Sequence, residues 1–396
     1  MRKVPKLRFK EFSDEWKEKK LGEFGKISMC KRIMKDQTTL TGDIPFYKIG
    51  TFGKKADAYI DKKLFEEYKE KYSFPKKGDI LLSASGTIGR TVIYDGKPAY
   101  FQDSNIVWIA TNEKIILNSF LNYLYSNIKW TTENTTIARL YNDNLANMKV
   151  NIPFYQEQEK IANFLFSVDK KISLTEEKLE LFREYKKGVM QKIFSQELRF
   201  KDSNGNDYPE WEEKRLNKIA DIYDGTHQTP KYVEKGIPFY SVENITNNNF
   251  INTKFVSEED YIENNKKRKI EKNDILMTRI GSIGKSKLID WEIVADFYVS
   301  LALIKLKDKI YPSYINQFIK SSFFQKELDK RTLKVAFPQK INLTEIGECL
   351  IKLPILKEQQ KIADFLSSID SKIESVKKEL EGLREFKKGL LQQMFI

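Results

Sequence analysis

The feature that most constrains this chain is a long stretch that occurs twice. Residues 152–194 align without a gap to residues 353–395, with about half the positions identical. The shared residues include Pro153 and Pro354, Glu157-Gln158 and Glu358-Gln359, Asp169 and Asp370, Arg183 and Arg384, and Lys186-Lys187-Gly188 and Lys387-Lys388-Gly389. An internal repeat decides architecture before any local pattern does, and one with so long a period is a duplicated domain rather than a solenoid. In the first copy apolar residues fall at Ile161, Leu165, Val168, Ile172 and Leu179, and in the second at Ile362, Leu366, Ile369, Ile373 and Leu380. Alternating steps of four and three are a heptad seam. Each copy therefore predicts one helix of roughly 60 Å, started by its proline and glutamate. Lys186 and Lys387 interrupt the seam at the same place, where a lysine sets register and partner choice. Gly188 and Gly389 follow, each costing about 1 kcal/mol relative to Ala inside a helix, and are expected to mark close backbone approach.

The segments before each helix are related more distantly. Leu7-Arg8-Phe9-Lys10 returns as Leu198-Arg199-Phe200-Lys201, Trp16 and Leu21 return as Trp211 and Leu216, and Ile44-Pro45-Phe46-Tyr47 returns as Ile237-Pro238-Phe239-Tyr240. Asp79-Ile80-Leu81 followed by Gly86-Thr87-Ile88-Gly89-Arg90 returns as Asp274-Ile275-Leu276 followed by Gly281-Ser282-Ile283-Gly284-Lys285. Short apolar or alternating runs at 79–84, 90–95 and 105–110 read as strands, and 117–130 and 312–330 read as helices. The expected fold is α+β: two similar mixed α/β domains, at 1–152 and 198–353, each followed by a long helix, at 153–197 and 354–396. A duplicated chain supplies a pseudo-twofold axis, and with that axis perpendicular to the helix pair the two helices form an antiparallel coiled coil.

Composition narrows the partners. A net charge of +13 with a single histidine favours a polyanion, with DNA or RNA ahead of an anionic membrane. No run approaches the eighteen apolar residues of a membrane span, and the first ten residues lack the apolar centre of a secretory signal. Cys30 and Cys349 stand alone, with no CxxC and no companion histidine, so neither a zinc site nor a disulfide framework is expected and a reducing cytoplasm is the natural setting.

Catalytic motifs are absent from the sequence. His227, in Asp224-Gly-Thr-His-Gln-Thr-Pro-Lys231, has no nucleophile or carboxylate pair placed beside it by a motif. Gly281-Ser-Ile-Gly-Lys-Ser286 falls two residues short of a phosphate-binding loop, and there is no G-x-G-x-x-G and no Asn/Asp-Pro-Pro-aromatic run. The Gly-rich turns themselves gather donors: Ser83, Ser85, Thr87 and Arg90 in one half, Thr278, Arg279, Ser282 and Lys285 in the other. They read either as DNA-facing, where backbone approaches phosphate and Arg reads guanine, or as tight hairpins whose polar groups face water. The Asn-rich run 244–252 reads as turns with base reading as the alternative, and Lys266-Lys267-Arg268-Lys269 as a solvated surface run with phosphate contact as the alternative.

The layout of variable domain, long helix, variable domain, long helix resembles the specificity subunit of type I restriction–modification enzymes. The matching residues are the Pro-x-x-x-Glu-Gln-x-Lys-Ile-Ala-x-Phe-Leu helix start, the Lys-Lys-Gly near the helix end, and the Leu-Arg-Phe-Lys…Trp lead-in, each present twice. The resemblance implies that each domain is a target recognition domain for one half of a bipartite, interrupted and asymmetric sequence in double-stranded DNA. It favours the segment after the first strand as a recognition loop: Lys31, Arg32 and Lys35 in one domain, Thr226, His227, Gln228, Thr229 and Lys231 in the other. It implies DNA methyltransferase subunits that bind S-adenosylmethionine, and restriction–translocase subunits that use ATP and Mg. The chain itself then holds no cofactor and no metal, and the charged helix face of Glu157, Lys160, Arg183, Lys187 and their copies docks the methyltransferases. Two rival readings are a stand-alone methyltransferase or nuclease with an unrecognised site, and a coiled-coil DNA-binding regulator without enzyme partners.

Overall fold

The computed structural model describes residues 4–103, 105–130, 140–264 and 268–396, and divides them into two units. The first unit joins Met1–Glu176 to Glu379–Ile396, and the second is Glu177–Lys378. The two repeat stretches are helices Tyr155–Phe194 and Leu356–Met394, each unbroken.

In the first unit the central sheet is antiparallel, in the order Gly25–Ser28, Ile106–Thr111, Ile80–Ser83, Thr91–Ile93. The two middle strands are apolar along most of their length because both faces are covered, and successive side chains point to opposite sides. Ile80, Leu82, Val107 and Ile109 face a cluster that contains Ile161, Leu165 and Val168 of the long helix. Leu81, Ile106 and Trp108 face a second cluster with Phe46, Phe52, Phe65 and Tyr100. A smaller sheet carries that second layer, with Ile44–Tyr47 antiparallel to Tyr59–Ile60 and parallel to Tyr100–Phe101. Strand Lys17–Lys20 pairs with Lys149–Ile152, which leads directly into the long helix.

The second unit repeats this plan. The order is Ala220–Asp224, Leu301–Leu306, Ile275–Thr278, Ser286–Leu288. Ile275, Met277, Ala302 and Ile304 turn toward the helix layer, while Leu276, Leu301 and Leu303 turn toward the outer layer. Ile237–Tyr240 lies between Lys254–Val256 and Asp296–Phe297, and Glu212–Arg215 pairs with Leu350–Leu353 ahead of the second helix.

Each unit contains the start of one long helix and the end of the other, running antiparallel. In the first, Asp169 meets Lys387 at 2.5 Å and Glu176 meets Arg384 at 2.6 Å. In the second, Lys186 meets Asp370 at 2.6 Å. The seam is shared with the domain cores rather than being helix against helix alone. Ile161, Leu165 and Val168 pack with Trp16, Phe120 and Leu124 as well as with Leu390 and Met394. Ile362, Leu366 and Ile369 pack with Tyr314 and Phe318 as well as with Met190 and Ile193. Ile172 and Ile373 are half-buried at the edges of these clusters, and Leu179 and Leu380 are buried.

Two local expectations are corrected. The helix expected over 312–330 is two helices, Pro312–Ile319 and Ser322–Arg331, because Ser321 caps the second by accepting from the Phe324 amide at 3.4 Å. The glycines near the helix ends mark no close approach. A Cβ on Gly188 would meet nothing within 4 Å, and one on Gly389 only the Gln393 side chain at 3.8 Å.

Candidate nucleic-acid interface

Both units place a glycine turn at the edge of the central sheet, between the third and fourth strands in sheet order. In the first, Gly86 and Gly89 have φ of 64° and 88°; in the second, Gly281 and Gly284 have 76° and 83°. Only glycine takes this left-handed backbone without strain. A side chain on Gly89 would strike Trp130, and one on Gly284 would strike Gln325 and Leu328, so the second glycine of each pair is there for packing. Gly281 has open space above it, and Gly86 only Ile49 at 3.7 Å, so the first glycine of each pair is the one an incoming group can approach.

This geometry corrects part of the donor set read from the sequence. Ser83 donates to the Thr87 carbonyl at 2.5 Å and accepts from the Arg90 amide at 2.9 Å, tying the turn across itself. Thr278 does the same with the Ser282 carbonyl and the Lys285 amide. Ser85 is buried and donates to Asn105 Oδ1 at 2.9 Å. Arg279 is buried, donating from Nη1 to the Val299 carbonyl at 2.7 Å and from Nε to the Ile341 carbonyl at 3.2 Å, and burial lowers its pKa. Thr226 is buried beneath its loop. Ser83, Thr278, Ser85 and Arg279 thus spend side-chain hydrogen bonds on their own scaffold, as buried polar groups must. Arg90 is half-buried and spends Nη1 on the Phe52 carbonyl at 2.9 Å.

The remainder falls on the turns and on the segment after the first strand. Thr87, Ser282 and Lys285 stand on the turns. Lys31, Arg32 and Lys35 belong to the first unit, where the Tyr100 hydroxyl donates to the Lys31 carbonyl at 3.0 Å and the Lys31 ammonium lies over the Tyr72 ring. In the second unit His227, Gln228, Thr229 and Lys231 line the equivalent loop, and the His227 ring contacts Asp224 Oδ2 at 2.8 Å. The base of this loop is fixed by Arg268, whose Nη1 donates to the carbonyls of Asp224 and Gly225 at 2.9 and 2.8 Å. Arg268 is therefore a scaffold residue, while Lys266 and Lys267 of the same run lie outside the described residues. The Asn-rich run is turns only in part. Its first residues lie in the short helix Val242–Asn247, capped where the Asn244 carboxamide oxygen accepts from the Ser241 amide and ended by Asn248 at φ 48°. Beyond it the Asn249 carboxamide oxygen accepts from the amides of Ile251 and Asn252 in a turn.

On the helices, Lys160, Arg183 and Lys187 are exposed, but Glu157 is not. It receives Arg8 Nε and Nη2, both at 2.7 Å, and the Trp16 indole at 3.4 Å. Glu358 likewise receives Arg199 Nη2 at 3.0 Å and Trp211 at 2.9 Å. The neighbouring glutamines fasten each helix start to its domain: Gln158 accepts from the Leu117 amide and donates to the Pro153 carbonyl, both at 3.0 Å. Sequence reasoning also passed over the loop 333–340, whose Val335 and Phe337 stand fully in solvent. Two large apolar residues beside Pro338, with neither strand nor helix period, were the signal. Among the described residues no cluster of His, Cys, Asp and Glu is arranged to hold a metal, and no helix is long and apolar enough to cross a membrane.

A family model described as the type I restriction modification DNA specificity domain matches residues 13–181 and 208–385. A Haemophilus influenzae protein that bears the name of a type I restriction enzyme specificity subunit is 62% identical over 146 residues, which is 37% of this chain and only 38% of that protein. The MjaVIII specificity subunit of Methanocaldococcus jannaschii is 27% identical over 398 residues, covering 96% of this chain and 91% of the relative. In fold, the chain is similar to the S subunit of a type I restriction-modification system from M. genitalium, with a TM-score of 0.64 at 19% identity over 99% of both chains. It is also similar to a chain solved in work on complex assembly and conformational transition of the type I R-M system, with a TM-score of 0.56 at 16% identity over 96% of this chain and 97% of that one.

Proposed function

The chain belongs to the type I restriction modification DNA specificity family, and on that premise we propose that it is the non-catalytic subunit that chooses where partner enzymes act on DNA. The observation that carries this reading is one scaffold built twice with different loops on it. The Arg–Glu–Trp and Lys–Asp interlocks recur residue for residue, whereas Lys31-Arg32-Ile33-Met34-Lys35 in one unit is replaced by Thr226-His227-Gln228-Thr229-Pro230-Lys231 in the other. A duplicated reader with divergent loops recognises two unlike half-sites, so the target is bipartite, interrupted and asymmetric. The exposed lysines and arginines supply sequence-independent attraction to phosphate, and polar side chains of the loops discriminate base edges. Three to five good contacts at about 1–3 kcal/mol each suffice for one half-site.

The chemistry resides elsewhere. Methyltransferase subunits holding S-adenosylmethionine dock on the exposed helix faces around Lys160, Arg183 and Lys187, and restriction subunits bring ATP and Mg. The setting is the cytoplasm, where those partners and the genome are found. The test is a pull-down from the native cell together with maps of methylated adenine in the genome with and without this gene. A co-purifying methyltransferase and the loss of one interrupted motif on deletion is the expected result. An unchanged methylome and no partner refutes it in favour of a free-standing regulator.

A further inference from the structure

Residues 333–340 leave the helix Ser322–Arg331 and return beside the turn at 281–284. Backbone closes the base of this loop: the Leu333 amide donates to the Lys340 carbonyl and the Gly281 amide to the Gln339 carbonyl, both at 2.8 Å, and the Ile341 amide donates to the Arg279 carbonyl at 3.0 Å. Beneath it, the buried Arg279 guanidinium grips the carbonyls of Val299 and Ile341. The base is therefore pinned to the sheet edge. The tip is the opposite: Val335 is 98% and Phe337 104% exposed, the two most exposed large apolar side chains among the described residues. A phenylalanine held wholly in water on a pinned loop gives nothing to the fold, so its use lies in what it enters.

The surroundings select the occupant. Gln339 and Lys340 are exposed beside the tip, Ser282 and Lys285 stand on the adjoining turn, and the space where a side chain on Gly281 would sit is open. Asp329, at the end of the preceding helix, is paired with Lys334 at 2.9 Å. An exposed apolar tip with Gln339 and Lys340 at its base and Lys285 on the adjoining turn is complementary to a stacked, polyanionic partner. Proteins that deform duplex DNA use such apolar wedges, which enter between base steps and partly unstack them.

We propose that the 333–340 loop is a wedge that inserts Phe337 between stacked base pairs of duplex DNA at the half-site read by the second unit. Lys340 and Lys285 grip phosphates on either side of the opened step. This rests on the DNA-reading function and goes beyond it, because it assigns part of the specificity to deformability. A step that unstacks easily, such as a pyrimidine–purine step, is read at that position without hydrogen bonds to its bases.

The experiment uses the complex of this chain with its methyltransferase subunits and duplexes bearing the mapped methylation motif, with 2-aminopurine placed at successive positions through both half-sites. Wild type is expected to raise the probe's fluorescence at one step of one half-site only. Phe337→Ala is expected to abolish that rise and weaken binding roughly 10-fold, while Phe337→Trp keeps both. The side chain contacts solvent alone, so the melting temperature of F337A should match wild type, which separates a binding defect from a folding one. No rise at any position, or F337A binding as tightly as wild type, overturns the proposal. So does an F337A chain that sheds its methyltransferase, which assigns the loop to a protein interface. If the DNA-reading function itself is wrong, wild type and F337A bind motif and scrambled duplexes alike.

Discussion

Glu157→Ala tests whether the helix start is locked to its domain by charge. Glu157 is 1% exposed and accepts three hydrogen bonds, two from Arg8 and one from Trp16. The bond to Glu157 is also the main reason that the Arg8 guanidinium holds its proton more tightly than usual, against the opposing effect of its burial. Truncation leaves a cation and an indole N–H in the core without an acceptor. Breaking a buried pair in this way costs about 3–5 kcal/mol. Arg8 retains 12% of its side-chain exposure, so water reaches the orphaned cation and the lower end, about 3 kcal/mol, is expected. For a unit of this size each kcal/mol moves the melting temperature by about 2–4 °C, giving a loss of about 6–12 °C. Thermal unfolding of the full chain followed by circular dichroism measures it. Glu157→Gln keeps one acceptor oxygen and should lose less. Arg8→Met combined with Glu157→Leu removes both charges and should recover most of the loss, since an apolar pair of similar volume is well tolerated where an orphaned charge is not. A shift under about 2 °C for E157A, or a double variant no more stable than the single one, would refute the reasoning.

Three further outcomes are expected. Lys186 sits 12% exposed between both Asp370 oxygens and Gln317, so Lys186→Asp should destabilise by about 1–3 kcal/mol, and adding Asp370→Lys should restore part of it; a thermodynamic cycle with no coupling energy would show that the lysine does not set the helix register. Burial raises the pKa of both thiols to about 12 and of the Tyr240 phenol to about 12, and pushes that of Tyr314 well above its ordinary value. A folded pKa above the unfolded one stabilises the protein fully below the unfolded value, so stability should hold to about pH 8.5 and then fall through about pH 9–12 as the unfolded chain sheds thiol and phenol protons first; flat chemical-denaturation midpoints across that range would contradict the burial. Alanine in place of Lys31, Arg32 or Lys35 should weaken binding to specific and non-specific duplexes alike and lower the salt dependence by about one unit for each phosphate left unneutralised, whereas an unchanged salt slope would remove these residues from the interface.

The long helices were legible in the sequence because a helix states its period over many turns and this one states it twice. Ile80-Leu81-Leu82 was legible as a strand for a related reason, since a run apolar at every position needs cover on both faces. The direction of individual polar side chains was not. Ser83 and Thr278 carry the same hydroxyl whether they face a ligand or bind their own turn, and only the fold distinguishes the two. Glu157 looks like surface charge until Arg8 arrives from 149 positions earlier. The helix break at Ser321 had a local signal in Ser321-Ser322, overridden by the apolar pattern that runs on through Phe323 and Phe324. Phe337 went unseen because sequence patterns find apolar residues that are buried, and its significance lies in being exposed.

The first unit is assembled from two separate segments, with roughly two hundred residues between them. A ribosome therefore delivers Ile161, Leu165 and Val168 long before Leu390, Met394 and Phe395, the side chains that complete their cluster. At about 5–20 residues per second the gap lasts on the order of 10–40 s. Throughout that time the apolar stripe of the nascent chain has only the part of its cover that Trp16, Phe120 and Leu124 supply, which makes this interval the period when chaperones are most needed. A chain that lacks Glu379–Ile396 leaves the first unit without part of its core, and so open to proteolysis.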